Sequence, residues 1–211
     1  MGRMTLDEVS QLRRREHSLL IGICTSDFSS LHDLVGILRE RRIPHTVLEP
    51  GPLWETDIDC LLLEKGIDPP VFTMKRPAMV SISPDPSITV ERGIAASFGR
   101  GRPSELLAGV DPGKRPGVAF IADGILISAL RAAGPSSISS IMVRARKAYR
   151  PRQMMVRVGD GDPEKGGFII TELKYAGFSV EIVDEGRTTR TKKYRDENAA
   201  VLIARTCGKP L

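Results

Sequence analysis

The first third of the chain alternates between short apolar runs and one stretch of helical periodicity, which is the pattern of a β–α–β unit. The predicted elements are a strand at 18–24, a helix at 29–42, and strands at 46–48 and 60–63. Leu34 and Leu38 lie on the apolar stripe of the helix, and Thr25-Ser26-Asp27 supplies its N-cap residues. The segment 1–90 is therefore predicted to form a small open α/β domain with a parallel sheet. Its loops contain neither a GxGxxG motif nor a P-loop, so no cofactor is predicted there.

A Pro-rich stretch from 68 to 86 and a connector at 91–103 lead to a second predicted domain at 104–211. Its predicted elements are strands at 106–111, 117–122 and 125–130, a helix at 136–148, a strand at 154–159, a helix at 163–176, a strand at 179–184 and a helix at 193–205. Three strands in hairpin order, followed by alternating helices and strands, make a β-β-β-α-β-α-β-α arrangement. This is an α/β fold with a mixed sheet.

The bulk composition narrows the class of partner without selecting one. The 211 residues carry a formal net charge of +5 and have a pI of about 9.3, which mildly favours a polyanion. Three widely spaced cysteines without a CxxC pair argue against a disulfide framework or a zinc finger and predict a cytoplasmic location. No apolar run is long enough to span a membrane, and the charged N-terminal segment lacks the apolar core of a secretion signal.

Four acidic residues come at strand ends or at the start of a helix: Asp111, Asp160, Glu185 and Asp196. Asp162 is the second choice at the fourth strand. On the last helix Asp196 begins a stripe of small residues, although helical spacing leaves Glu197 as an alternative.

Clustered carboxylates repel one another unless a cation offsets their charge, and Mg²⁺ prefers such oxygen ligands. Two ions ~4 Å apart can activate an attacking water and stabilise the leaving oxygen of a phosphodiester. Each acid taken alone has an ordinary explanation as a turn, strand-end or N-cap residue. Four acids at these topological positions together favour a site for Mg²⁺ or Mn²⁺.

Three motifs, in order, resemble the ribonuclease H-like superfamily, in the branch of RuvC-type Holliday-junction resolvases and YqgF-type ribosomal-RNA-maturation nucleases. GVDPG at 109–113 resembles the RuvC-type start, and KRPGVA at 114–119 resembles the KRxGVA of the YqgF type. VDEGRTT at 183–189 is similar to V-D-E-R-x-T-T, and DENAAVLI at 196–203 is similar to the closing D-x-x-A-A-x-x-I-L. The resemblance covers about 105–206, half of the chain.

The resemblance implies that Asp111, Glu185 and Asp196 are metal-binding catalytic acids and that Asp160 is the fourth. The chain departs from the pattern at two points. The first turn is one residue shorter, and Gly186 stands where the pattern has arginine, with Arg187 one place later.

Basic residues surround the predicted acids and suit the phosphate backbone of a nucleic acid. The predicted substrate-binding residues are Lys114, Arg115, Arg187, Thr188 and Lys193. A second basic group at 144–152 fits a phosphate contact and a solvated helix face equally well. Aromatic residues make up only 5% of the chain, so structured nucleic acid is favoured over unstructured single strands.

The sequence thus predicts a Mg²⁺- or Mn²⁺-dependent endonuclease acting on a DNA junction or on structured RNA. The alternatives are a non-catalytic nucleic-acid-binding module on the same fold and, less favoured, an actin-like nucleotide binder. The residues do not distinguish DNA from RNA. A homodimer is left open, because a junction resolvase needs two active sites on one symmetric junction.

Overall fold

The computed structural model describes residues 8–51, 53–54, 57–69, 71–72, 76–184 and 196–211. The chain forms two compact units. The N-terminal unit comprises Arg13–Arg102 with Lys147–Tyr149, and the C-terminal unit comprises Pro103–Arg146 and Arg150–Leu211 with Met1–Leu12. The units contain a parallel sheet and a mixed sheet respectively, so the predicted α/β fold class is confirmed.

Four parallel strands in the order β2-β1-β4-β6 form the main sheet of the N-terminal unit. The elements up to residue 97 are α1 (Glu8–Ser18), β1 (Ile21–Cys24), α2 (Phe28–Glu40), β2 (His45–Val47), β3 (Leu53–Trp54), β4 (Cys60–Leu63), β5 (Val71–Phe72), β6 (Ala78–Ser81) and α3 (Pro86–Ser97). Ile21, Ile23 and Leu61 on the central strands are fully buried, as are Leu34 and Leu38 on α2. The predicted stripe of α2 is therefore part of the core.

Residues 78–97 fold differently from the sequence prediction, which assigned them to a Pro-rich stretch and a connector. They form β6, which pairs with β4, and then helix α3. Asp85 caps α3 by accepting hydrogen bonds from the backbone N–H groups of Ser87 and Ile88. Pro86 lies in the first turn, where a missing N–H costs little. Proline here starts a helix, which is why reading it as a separator was wrong.

The C-terminal unit contains a six-stranded sheet in the order β12-β11-β10-β7-β8-β9. Its elements are β7 (Glu105–Asp111), β8 (Gly117–Ala122), β9 (Ile125–Arg131), α4 (Ile138–Tyr149, following a 3-10 turn at Pro135–Ser137), β10 (Gln153–Gly159), α5 (Pro163–Tyr175), β11 (Ser179–Val183), α6 (Asp196–Arg205) and β12 (Lys209–Pro210). β7, β8 and β9 pair antiparallel, whereas β10 pairs parallel with both β7 and β11. The predicted β-β-β-α-β-α-β-α order is confirmed, and β12 adds an edge strand that was not predicted.

The alternation along β7 divides its residues between two faces of the sheet. Leu106, Ala108 and Val110 are fully buried on one face. Gly109 and Asp111 belong to the other face, against which α6 packs. Asp111 is therefore carried to the end of a strand that is well anchored in the core.

Candidate functional site

Three carboxylates lie at neighbouring strand ends on one edge of the sheet. Asp111 is the last residue of β7, Asp160 directly follows β10, and Asp184 directly follows β11. The backbone N–H of Asp160 donates to the carbonyl of Val183 at 3.1 Å, which ties the ends of β10 and β11 together. Adjacent strands are ~4.8 Å apart, and along this edge the register puts Asp184 level with Asp160, whereas Asp111 is level with Gly159, one residue earlier. We call it the acidic edge.

The surroundings of these acids differ. Asp111 is half-buried, whereas Asp160 and Asp184 are exposed. Asp160 and Asp184 line a pocket of about 320 Å³ together with Cys207 and Lys209. Asp184 was not among the predicted site residues, although it stands one position before the predicted Glu185.

Helix α6 packs against β7 and β8 on the face of the sheet that carries Gly109. At its C-terminal end the Arg205 guanidinium donates to the carbonyl of Gly124 at 3.3 Å, in the β8–β9 hairpin turn. The residues that follow α6, Thr206 and Cys207, line the pocket beside Asp160 and Asp184.

Gly109 allows α6 to approach β7 very closely. A Cβ atom at this position would lie 2.0 Å from the carbonyl oxygen of Ala200 and 2.6 Å from the backbone nitrogen of Ala204. Ala200 and Ala204, which follow the first turn of α6, therefore meet β7 two residues before Asp111, on the face of the sheet to which Asp111 belongs.

Glu197 is the described acid in that first turn, and it is buried, with 8% of its surface exposed. It shares the buried side of α6 with Ala200, Val201 and Ala204. Buried carboxylates need partners or a cation to offset the loss of hydration. Helical spacing alone did not decide between Asp196 and Glu197, and the structure buries Glu197 on the side of α6 that packs against the sheet.

Two hydrogen bonds explain the position of Asp162, the second choice for the fourth acid. Asp162 caps α5, accepting from the backbone N–H of Lys165 at 3.1 Å and from the Lys165 Nζ at 2.5 Å. The hydrogen bond from the Lys165 side chain, followed by the one from its backbone, lowers the pKa of Asp162. Asp162 therefore has a local structural role as the N-cap of α5.

Basic residues accompany the acidic edge. Lys114 and Arg115 are exposed in the turn between β7 and β8, directly after Asp111. Arg131, the last residue of β9, is exposed and pairs in register with Gly117 at the same end of the sheet. Sequence reasoning missed Arg131, and its position at the end of a predicted hairpin strand was the available signal.

The remaining predicted residues are not covered by the described structure. Glu185, Arg187, Thr188 and Lys193 lie outside the described residues, and Asp196 is described only as a backbone position. Their roles stay predictions.

The donor chemistry at the acidic edge suits Mg²⁺ or Mn²⁺, which favour carboxylate oxygens. Asp111 and Asp160 are the described members of the predicted ligand set. Within the described residues, no three His, Cys, Asp or Glu side chains converge closely enough to hold a metal ion. The described part of the site is therefore compatible with a metal ion but supplies only part of the predicted ligands.

In the N-terminal unit the strand order changes direction between β1 and β4, and α/β sheets commonly bind ligands at the carboxyl ends of such strands. Glu64 fills this position. Its carboxylate accepts from the Thr25 hydroxyl at 2.8 Å, the Ser26 backbone N–H at 2.7 Å and the Ser26 hydroxyl at 3.0 Å. The bond from the Ser26 N–H is the largest of the causes that lower the pKa of Glu64. The donors that would cradle a phosphate are thus occupied by the protein's own carboxylate.

The chain matches no protein-family model, and no curated protein matches it. Among solved structures it is similar to RuvC of Thermus thermophilus, with 17% identity and a TM-score of 0.30, over 50% of this chain and 99% of that chain. It is also similar to Argonaute of Marinitoga piezophila, solved in complex with a 5′ OH guide RNA, with 9% identity and a TM-score of 0.29. That match covers 79% of this chain and 39% of that chain. Likenesses this distant carry no argument about activity.

Within the described residues, no helix combines the length and the apolar character that crossing a membrane requires.

Proposed function

We propose that this protein is a metal-dependent endonuclease that hydrolyses phosphodiester bonds in structured nucleic acid. The observation that supports the proposal is the position of two predicted acids at neighbouring strand ends, with exposed basic residues directly beyond one of them. Asp111 ends β7, Asp160 directly follows the parallel strand β10, and Lys114 and Arg115 are exposed in the turn after Asp111. We place the nuclease domain at 104–211, with Mg²⁺ or Mn²⁺ as cofactor, and keep a cytoplasmic location as a prediction.

In this proposal Asp111 and Asp160 hold a divalent cation together with Glu185 and Asp196. A cation bound there would offset the charge of the scissile phosphate and lower the pKa of the attacking water. Glu197 is the second choice at the α6 position, because it is the buried acid of that turn.

The basic residues are proposed to bind the phosphates of the substrate. Lys114 and Arg115 are exposed directly beyond Asp111, where they can pair with the phosphates that flank the scissile bond. Arg187, Thr188 and Lys193 are proposed to contribute from the segment before α6. Holding the phosphate in place while its charge is offset would supply most of the rate enhancement.

The test is metal-dependent cleavage of labelled four-way DNA junctions, DNA duplexes and folded RNAs by the wild-type protein and by Asp111→Asn. We expect cleavage in Mg²⁺ or Mn²⁺, its loss in Asp111→Asn, and unchanged nucleic-acid binding by that variant. Asp123→Asn is the matched control, because Asp123 lies at the opposite edge with φ of 45°, a conformation that asparagine tolerates. Cleavage that survives in purified Asp111→Asn would remove Asp111 from the site.

Two more variants assign the α6 position. Asp196→Asn and Glu197→Gln should differ in cleavage, and the more damaging substitution identifies the side chain that acts. The substrate preferred by the wild type would decide between junction resolution and RNA processing. A preference for junctions would make a homodimer necessary, which sedimentation would check.

One observation favours a second candidate function. Since Lys114 and Arg115 are exposed and can contact phosphates without a metal ion, a nucleic-acid-binding module without catalysis is the alternative. Salt-sensitive binding without metal-dependent cleavage would support it over the nuclease.

A further inference from the structure

A second basic surface lies at the edge of the sheet opposite the acidic edge. It consists of Arg144, Arg146, Arg150 and Arg152, all exposed, and we call it the distal basic surface. The backbone N–H of Arg152 donates to the carbonyl of Pro103 at 3.2 Å, and the next residue of β10 donates to Ser104 at 3.0 Å. Arg152 therefore lies beside the start of β7, whereas Asp111 is at its end. Arg144, Arg146 and Arg150 precede Arg152, on the second half of α4 and directly after that helix.

The segment that carries this surface, 138–153, contains no acidic residue, and the exposed Glu105 on the neighbouring strand pairs in register with Gln153. Among the residues that the structure describes, Arg144, Arg150 and Arg152 have no carboxylate within ion-pairing distance. Arg146 lies over the ring of Phe178, 4.4 Å from its centroid, which fixes its position while leaving it exposed.

The backbone conformation of Arg150 independently indicates that its side chain has a role at this position. It follows the last residue of α4 in the left-handed conformation, with φ of 45° and ψ of 51°. Glycine or asparagine is usual at such a position, and another residue costs about 1 kcal/mol. The helix dipole accounts for basic residues in the last turn of α4, but it does not account for Arg152, which is beyond the helix.

We propose that the distal basic surface binds the phosphate backbone of a nucleic-acid duplex whose other end occupies the acidic edge. This inference rests on the proposed function and adds a length requirement to it. The seven residues of β7 separate the two edges by ~20 Å. A duplex rises ~3.4 Å per base pair, so the surface contacts phosphates about six base pairs from the cleavage position. Shorter duplexes reach only one of the two edges.

The test compares binding of fluorescent hairpins with stems of 3 and 24 base pairs, in DNA and RNA versions, in EDTA so that no cleavage occurs. The variant combines Arg144→Gln, Arg150→Gln and Arg152→Gln, leaving Arg146 on Phe178 in place. On the long duplex we expect its affinity to fall at least ~10-fold and its salt slope to decrease by about 2 to 3. On the short duplex, which can still bind at the acidic edge, we expect a smaller loss of affinity than on the long duplex.

A matched control removes the same charge elsewhere. Arg39, Arg42 and Lys65 are exposed in the N-terminal unit and are changed to glutamine together. The inference is overturned if the control loses as much affinity for the long duplex as the distal variant does. It is also overturned if the distal variant binds the long duplex as tightly as the wild type, or if the wild type binds neither length.

Two further measurements distinguish a failure of the distal basic surface from misfolding of the variant and from a failure of the proposed nuclease activity. If circular dichroism shows that the triple variant is unfolded, Arg152→Gln alone is measured, and a decrease of about 1 in its salt slope is expected. If the wild type binds long duplexes through the distal surface but cuts none in Mg²⁺ or Mn²⁺, the proposed nuclease fails and the distal surface stands. The DNA and RNA arms show which nucleic acid it prefers.

Discussion

Gly109→Ala tests the close contact on which the geometry of the site depends. The new Cβ atom would meet the carbonyl oxygen of Ala200 at 2.0 Å, whereas ordinary contacts begin at 3.4 Å. It would also meet the backbone nitrogen of Ala204 at 2.6 Å. Because the nearest obstacles are backbone atoms of a helix, no side-chain rotation can relieve the overlap. Helix α6 must move away from β7 by about 1.4 Å, or β7 must bend.

This displacement opens a packed interface. α6 contributes Ala200, Val201, Ile203 and Ala204 to the core, all of them at most 3% exposed. Overpacking a well-packed core costs 1–3 kcal/mol and occasionally more, and a backbone clash belongs at the upper end, about 3 kcal/mol. For a unit of this size we expect the melting temperature to fall by ~10 °C or more. Moving the first turn of α6 by ~1 Å should also lower cleavage by ~100-fold.

Thermal unfolding followed by circular dichroism measures the first effect, and the junction-cleavage assay measures the second. Gly167→Ala is the control, because a Cβ atom at this exposed position in α5 would meet nothing within 4 Å. Alanine is the better helix former, so we expect this control to gain about 0.5–1 kcal/mol. A melting temperature for Gly109→Ala equal to that of the wild type would refute the described seating of α6 on β7.

Three further predictions concern other described residues. Arg157→Met should lower the free energy of unfolding by about 2 kcal/mol, because the largely buried Arg157 and Glu181 side chains pair at 2.8 Å. Adding Glu181→Leu removes the unpaired carboxylate and should restore much of this free energy, as measured by urea unfolding. Burial raises the pKa of Cys60 to about 12 from 9.0, so at pH 8.5 a thiol reagent should label exposed Cys207 and spare Cys60. Because this pKa is raised, the stability linked to it is full below pH 9 and should fall as the pH rises to about 12, which urea midpoints would show. Asp162→Ala should lower the melting temperature at pH 7, where the cap is ionised, and leave cleavage unchanged; lost cleavage would instead make Asp162 an acid of the site.

The position of Asp111 at a strand end could be predicted from the sequence, whereas the burial of Glu197 could not. Asp111 closes an alternating apolar run before a turn, so its place at a strand end follows from local periodicity, which the structure confirms. Glu197 and Asp196 are one residue apart on a helix, and both stripes contain small apolar residues. Only packing against β7 and β8 determines which side of α6 is buried.

The region 78–97 shows a different limit. Its prolines were interpreted as breaks, yet Pro86 begins a helix under an Asp85 cap, and β6 joins the sheet through pairing with β4. The capping signal was present in the sequence. The pairing of β6 was not, because strand neighbours are chosen by tertiary contacts.

What the sequence by itself determined is the order of elements in the C-terminal unit and the placement of acidic residues at the ends of its strands. Those features depend on periods of two and of 3.6 residues and on turn chemistry, all of which act between near neighbours. The tertiary structure alone decided the direction and closeness of α6, the burial of Glu197 and the position of the distal basic surface opposite the acids. Each of these depends on contacts between residues far apart in the chain, such as Gly109 with Ala200, whose closeness is set by the packing of backbone against backbone.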